Sequence, residues 1–140
     1  MSTERGHHRP LSSFLVRGLA LGAGVAAVAF ARRWLDVVEV QGSSMAPTLL
    51  PGEWLLVEGR TYTRRPPRVG EIVLAADPRE PSRELIKRVA AVDAESRTVD
   101  LRGDAPEAST DSRTFGAVPV EAVYWRVVAR YWPAARAARL

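Results

Sequence analysis

The 140-residue chain has no cysteine, only two histidines and a single lysine. Without cysteine there can be no disulfide, thiol nucleophile or thiolate zinc site, and the redox compartment is left open. Both histidines, His7 and His8, lie in the N-terminal tail. Catalysis in the body of the chain must therefore manage without imidazole, which removes Ser-His-Asp triads and the usual histidine metal sites unless the tail folds back. No metal and no cofactor are expected. Glycine and proline, ten of each, fall short of a low-complexity composition, and 46% hydrophobic with 26% charged residues is ordinary for one folded domain. Among the 20 cationic residues every one but Lys87 is arginine. The net charge of +4 could suit nucleic acid or an anionic membrane surface. The acidic residues are interspersed, however, no basic run exceeds two arginines, and no helix-turn-helix, RRM or zinc pattern is present, so no nucleic-acid partner is expected.

Along the chain, residues 1–10 form a basic tail and residues 11–34 a membrane-anchor candidate. Its uncharged part, residues 18–31, would span about 21 Å as a helix, whereas counting from Leu11 gives about 31 Å, enough for the hydrocarbon core. Arg17 would snorkel to the near interface and Trp34 would sit at the far one. A cleaved signal peptide ending at Ala29-Phe30-Ala31 and an interfacial helix are the alternatives. Arg5, Arg9 and Arg17 on the N-terminal side of the uncharged part, against Arg32 and Arg33 after it, favour an N-terminus inside and a domain outside the cytoplasm.

Residues 35–132 then change to short β-branched runs separated by Pro, Gly and Asp, the pattern of a mainly β domain. Strands are expected over Leu35 to Val40, Trp54 to Glu58, Glu71 to Ala75, Leu85 to Val92, Arg97 to Leu101 and Val123 to Arg130. Between them lie Pro47, Pro51-Gly52, Pro66-Pro67, Asp77-Pro78, Gly103-Asp104 and Pro106. The Ala/Arg-rich residues 133–140 are expected to be a frayed tail.

Three segments could carry chemistry. In Gly42-Ser43-Ser44-Met45-Ala46-Pro47-Thr48-Leu49 a hydroxyl follows a strand in a Gly/Pro turn, a placement that leaves backbone N–H groups free to face a developing oxyanion. Most such turns are only turns. In the second segment, alternation puts Lys87 with Leu85, Val89 and Ala91 on one strand face. Desolvation there lowers a lysine's pKa toward that of a usable general base. The ordinary alternative is a packed stem with a snorkelling head, but a chain otherwise rich in arginine has kept one cation able to give up its proton. The third segment, residues 101–113 with Phe115 and Gly116, is dense in hydroxyls and alternating charges. It reads either as a surface loop or as a source of an orienting hydroxyl and ion pairs.

Taken in this order, the segments resemble the type I signal peptidase family of membrane-anchored serine proteases, over most of residues 37–131. The resemblance rests on residues 42–49, on Lys87-Arg88-Val89, and on Gly103-Asp104 through Ser109, Asp111-Ser112-Arg113 and Phe115-Gly116. It implies a compact signal-peptidase-like β catalytic domain preceded by one transmembrane helix, with Ser44 as nucleophile, Lys87 as general base and Ser109 as the hydroxyl that orients the lysine. It also implies pairing of Asp104 with Arg88 and of Asp111 with Arg113, an oxyanion hole using the Ser44 N–H, and Gly42 where some relatives carry a second hydroxyl donor. Ala105 replaces the usual Asn, and Trp125 stands where Gly is common. The short Asp93 to Leu101 connection leaves no room for the accessory domain of larger relatives. In that compactness the chain is similar to small bacterial proteases that mature nickel-type superoxide dismutase. The expected partners are precursor proteins with N-terminal leaders and membrane lipid; the alternatives are the dismutase-maturing protease and a non-catalytic binding module.

Overall fold

A computed structural model describes residues 34–140. The basic tail and the expected membrane span lie outside the described residues, apart from Trp34, whose carbonyl accepts from the Gly59 N–H and so ties it to the sheet. Among the described residues no helix is long and apolar enough to cross a membrane.

Eight strands make one antiparallel sheet: β1 (Leu35–Glu39), β2 (Trp54–Glu58), β3 (Ile72–Asp77), β4 (Glu80–Asp93), β5 (Thr98–Arg102), β6 (Val118–Pro119), β7 (Val123–Trp132) and β8 (Ala138–Arg139). Their order is β1-β2-β7-β3-β4-β5-β6, with β8 added to β7. Between β5 and β6 lie a 3-10 turn, Pro106–Ala108, and one α-helical turn, α1 (Ser112–Phe115).

The run Ile72-Val73-Leu74-Ala75 is apolar without a break because β3 is buried on both faces. Ile72 and Leu74 point into a first cluster with Val40, Met45, Leu49, Leu55, Val57 and Val127. Val73 and Ala75 point into a second with Val89, Val99, Leu101, Val118 and Val123. Each fully buried Val or Leu contributes about 1.5–3 kcal/mol of transfer free energy, so β3 joins both halves of the core. Since Val73 stands opposite Lys87, directly paired residues share a face, and Lys87 emerges on the side of the second cluster between Leu85 and Val89.

Three expectations are corrected. Ala91 does not share that buried face: the β4–β5 register shifts between Val89 and Ala91, and this bulge, by adding a residue, turns Ala91 out to solvent. β4 begins at Glu80 rather than Leu85, because the polar stretch Glu80-Pro81-Ser82-Arg83-Glu84 is paired to the end of β3 although it lacks apolar alternation. The C-terminal residues are not frayed. β8 pairs with Ala129 and Arg130 of β7, the Leu140 N–H donates to the Val128 carbonyl, and Leu140 packs against the first cluster.

Among the described residues, two unpaired strand edges lie beside one groove. β1 is the end of the sheet path, and β4 pairs with β5 only from Arg88 onward, leaving the opposite edge of residues 80–87 free. Both line a groove of about 740 Å³ together with Gly42, Ser43, Ser44 and Thr110.

Candidate active site

The turn after β1 is tied at its base by the Val40 N–H donating to the Glu53 carbonyl (2.8 Å) and the Gly52 N–H donating to the Val40 carbonyl (2.9 Å). Met45 and Leu49 sink into the first cluster as apolar pegs, leaving Ser44 half-buried at the groove. Gly42 adopts φ +86°, a left-handed conformation that side chains disfavour, with open space around it. Among the described residues the Ser44 N–H has no hydrogen-bond acceptor. It is free to receive an oxyanion.

Lys87 is only 3% exposed. Its Nζ lies 2.9 Å from Ser44 Oγ and 3.1 Å from Ser109 Oγ. Burial holds its pKa below the usual lysine value, the nearby Asp111 carboxylate opposes that shift, and Arg83, Arg113 and Arg79 add to it. Ser109 donates to Asp111 Oδ2 at 2.6 Å. A hydroxyl has one proton, so toward Lys87 this oxygen can only accept. The amine therefore commits an N–H to Ser109, and when neutral it has its lone pair available for Ser44.

Asp111 is fully buried. Besides Ser109 it accepts from the Gly103 N–H (2.8 Å) and from Arg113 Nε (2.9 Å). Its carboxyl is held far below the usual range, chiefly by the Arg113 hydrogen bonds, against the opposing effect of burial. It also caps α1 by accepting from the Arg113 N–H. Asp104 joins a second pair: Arg88 Nε donates to Oδ1 at 2.9 Å and Arg88 Nη2 to Oδ2 at 2.6 Å. The Thr48 hydroxyl donates to the same carboxylate at 2.6 Å, linking the turn to the base strand.

All eight residues singled out in the sequence thus fall in one neighbourhood. Gly103 is what lets the segments meet. A Cβ there would stand 2.2 Å from Ser109 Oγ and 2.5 Å from the Ser44 carbonyl oxygen, so only glycine fits. Of the two departures from the family pattern, Ala105 contributes through its backbone, its N–H donating to the Ser44 carbonyl at 3.0 Å. Trp125 packs against the first cluster, its ring about 3.2 Å from where a Cβ on Gly59 would lie.

Sequence reasoning missed Glu53, Arg130 and Arg136. Glu53 is 3% exposed and accepts from Arg136 Nε at 2.6 Å, from Arg130 Nη1 at 3.4 Å and from the Leu50 N–H at 2.9 Å. The adjoining Pro51-Gly52 marks a turn, but no local signal joins it to arginines some eighty residues away.

Comparison with known proteins gives these residues a setting. Residues 14–100 match the family described as signal peptidase, peptidase S26. The chain is 31% identical over 120 residues to the mitochondrial ATP-independent inner membrane protease subunit 1a of Arabidopsis thaliana, covering 71% of each chain. To subunit 1b of the same plant it is 36% identical over 113 residues, 66% of this chain and 67% of that one. To the mitochondrial inner membrane protease subunit 1 of Schizosaccharomyces pombe it is 30% identical over 116 residues, 70% of this chain and 74% of the relative. With more than half of its length matched, and with relatives aligned over about two thirds or more of theirs, this chain belongs to the signal peptidase family, peptidase S26.

Proposed function

We propose that the protein is a membrane-anchored Ser/Lys endopeptidase that removes N-terminal signal or leader segments from precursor proteins. The observation that carries this reading is the unbroken hydrogen-bonded line Ser44–Lys87–Ser109–Asp111 at the groove. Neutral Lys87 takes the Ser44 proton as Oγ adds to the scissile carbonyl carbon. The oxyanion is received by the Ser44 N–H beside Gly42. As the tetrahedral species collapses, Lys87 Nζ returns the proton to the leaving amine, the C–N bond breaks and an acyl-Ser44 ester remains. Water, deprotonated by Lys87, then attacks the ester; as the acyl C–Oγ bond breaks, Lys87 returns the proton to Ser44 Oγ, and the freed carboxyl group ionises in solvent. Asp104–Arg88 and Asp111–Arg113 keep the two catalytic segments in register.

The substrate binds in extended form by strand addition between β1 and residues 80–87, where backbone donors and acceptors are unpaired. The anchor is assigned to residues 11–34 with the catalytic domain outside the cytoplasm, a reading supported by the arginine distribution and by relatives named for an inner membrane. The turn of residues 94–97 between β4 and β5 holds no accessory domain, which favours a compact bacterial enzyme and leaves maturation of nickel-type superoxide dismutase as the second substrate class.

The test is incubation of the purified full chain in detergent with a panel of leader-bearing precursors, that dismutase included, read by N-terminal sequencing of the products. Cleavage by wild type but not by Ser44→Ala is expected. No cleavage, together with no acylation of Ser44 by a serine-reactive lipopeptide inhibitor, would make the protein a binding module.

A further inference from the structure

We propose that the C-terminal segment positions the nucleophile: Arg136 and Arg130, bridged by Glu53, clamp the catalytic turn through its Pro47 and Thr48 carbonyls. The inference rests on Ser44 being the nucleophile. Arg136 Nη2 donates to the Pro47 carbonyl at 3.1 Å and to the Thr48 carbonyl at 3.4 Å. Arg130 Nη1 donates to the same Thr48 carbonyl at 2.6 Å, and Arg130 Nε to the Arg136 carbonyl at 2.5 Å. Both guanidiniums converge on the buried Glu53 carboxylate.

Thr48 is thereby gripped twice, its hydroxyl by Asp104 and its carbonyl by the two arginines. A buried carboxylate with three donors is costly to disturb, so Glu53 fixes the guanidinium planes and the planes fix the carbonyls. Arg136 is carried by the helical turn Ala134–Arg136 just before β8, and β8 is held to β7. The last eight residues therefore reach the turn that bears Ser44 without touching Ser44, Lys87 or the groove. Neither arginine is among the main charges that shift Lys87, and both bond to the turn itself, so the clamp bears chiefly on the position of Ser44.

The experiment compares wild type, Arg136→Gln, Arg136→Lys and, as a control on β8 outside the clamp, Arg139→Gln. Precursor-cleavage kinetics across pH 6 to 10, thermal melting and amide hydrogen exchange are measured on the full chain. Arg136→Gln is expected to lower kcat about tenfold, since small misplacement of a reacting group is costly, with KM little changed and the midpoint of the pH profile unmoved, while Tm falls because the buried Glu53 loses one of its two arginines. Exchange should quicken at Met45 to Leu49 and not at Val73 or Val89. Arg136→Lys should recover part of the loss, because one ammonium can hold Glu53 but not the carbonyls as well. Unchanged kcat, a shifted pH midpoint, or exchange rising evenly over the sheet would overturn the clamp. If wild type cleaves no precursor, the catalytic reading falls by itself, and the exchange comparison still decides whether Arg136 orders the turn.

Discussion

Lys87 and Asp111 are both buried, stand two hydrogen bonds apart through Ser109, and are treated in opposite ways. Asp111 is given an arginine fork, a hydroxyl and a backbone amide, so its charge is stabilised more than water would stabilise it. Lys87 is given two neutral hydroxyls and apolar neighbours, and the arginines around it disfavour a further positive charge. Burial alone therefore does not set a charge state; the partners supplied with it do. One group is locked as an anion to hold geometry, and the other is left ready to shed its proton.

The largest effects should come from erasing the reactive side of this contrast. Ser44→Ala and Lys87→Arg are each expected to cut precursor cleavage by about 10⁴-fold or more, the second because guanidinium stays protonated at any pH the fold survives. Lys87→Met should be equally inactive yet melt no lower than wild type at pH 7, since it removes a poorly compensated buried cation. Rapid turnover by Lys87→Arg would show that the base lies elsewhere.

Next, Ser109→Ala should lower kcat by about 10²- to 10⁴-fold while Tm changes little, because it misaligns the amine without opening the core. A variant with wild-type kcat would break the link between the two charges. In wild type, activity should rise with pH through the folded-state pKa of Lys87, below the free value of about 10.4. The fold should also gain stability from that folded-state pKa up to about 10.4, where the unfolded chain binds the extra proton.

Asp111→Asn tests the locked side. It should lower both turnover and Tm at pH 7, by leaving Arg113 without its carboxylate. The sign with pH is opposite to that of the lysine. A carboxyl with a depressed folded-state pKa contributes stability above its unfolded value of about 3.9 and loses it as pH falls toward the folded one. Melting curves of wild type and variant should accordingly converge below about pH 4. The smallest effect belongs to the exposed Arg97–Glu121 pair: Glu121→Gln should leave Tm and kcat where they are.

What was legible in the sequence follows the range of each signal. The strand Trp54–Glu58 and the start of β7 from Val123 to Arg130 announce themselves locally through β-branched and aromatic residues. Lys87 was visible because no other side chain in the body of the chain could do the same chemistry, whereas Ser44 and the hydroxyl-rich third segment became legible only through the order of the three segments and the family they resemble. The clamp was not, since Ala134 to Arg139 has no strand signature, and its order comes from Glu53, which lies in a different part of the sequence. The bulge after Val89 was hidden as well: it depends on how β5 pairs with β4 and not on the composition of either. Gly103 was read as turn chemistry, whereas its meaning is the missing Cβ between Ser109 and Ser44.

The two unpaired edges beside the groove have a further consequence. Counting from β1 through β2, β7 and β3 to β4, the strands form an arc whose ends both face the groove. A peptide laid between them would act as the missing stave and close the arc into a ring. While it stayed, neither edge would be open to a second chain, and Glu39, Pro81 and the charged Arg83 and Glu84 already discourage two copies from zipping together there. If Ser44 cuts the peptide as proposed, the stave is divided, and each half would hold the ring with fewer hydrogen bonds than the whole. On that reading departure of the products would be built into the cleavage, returning the protein to an open arc that admits single extended chains rather than folded sheets.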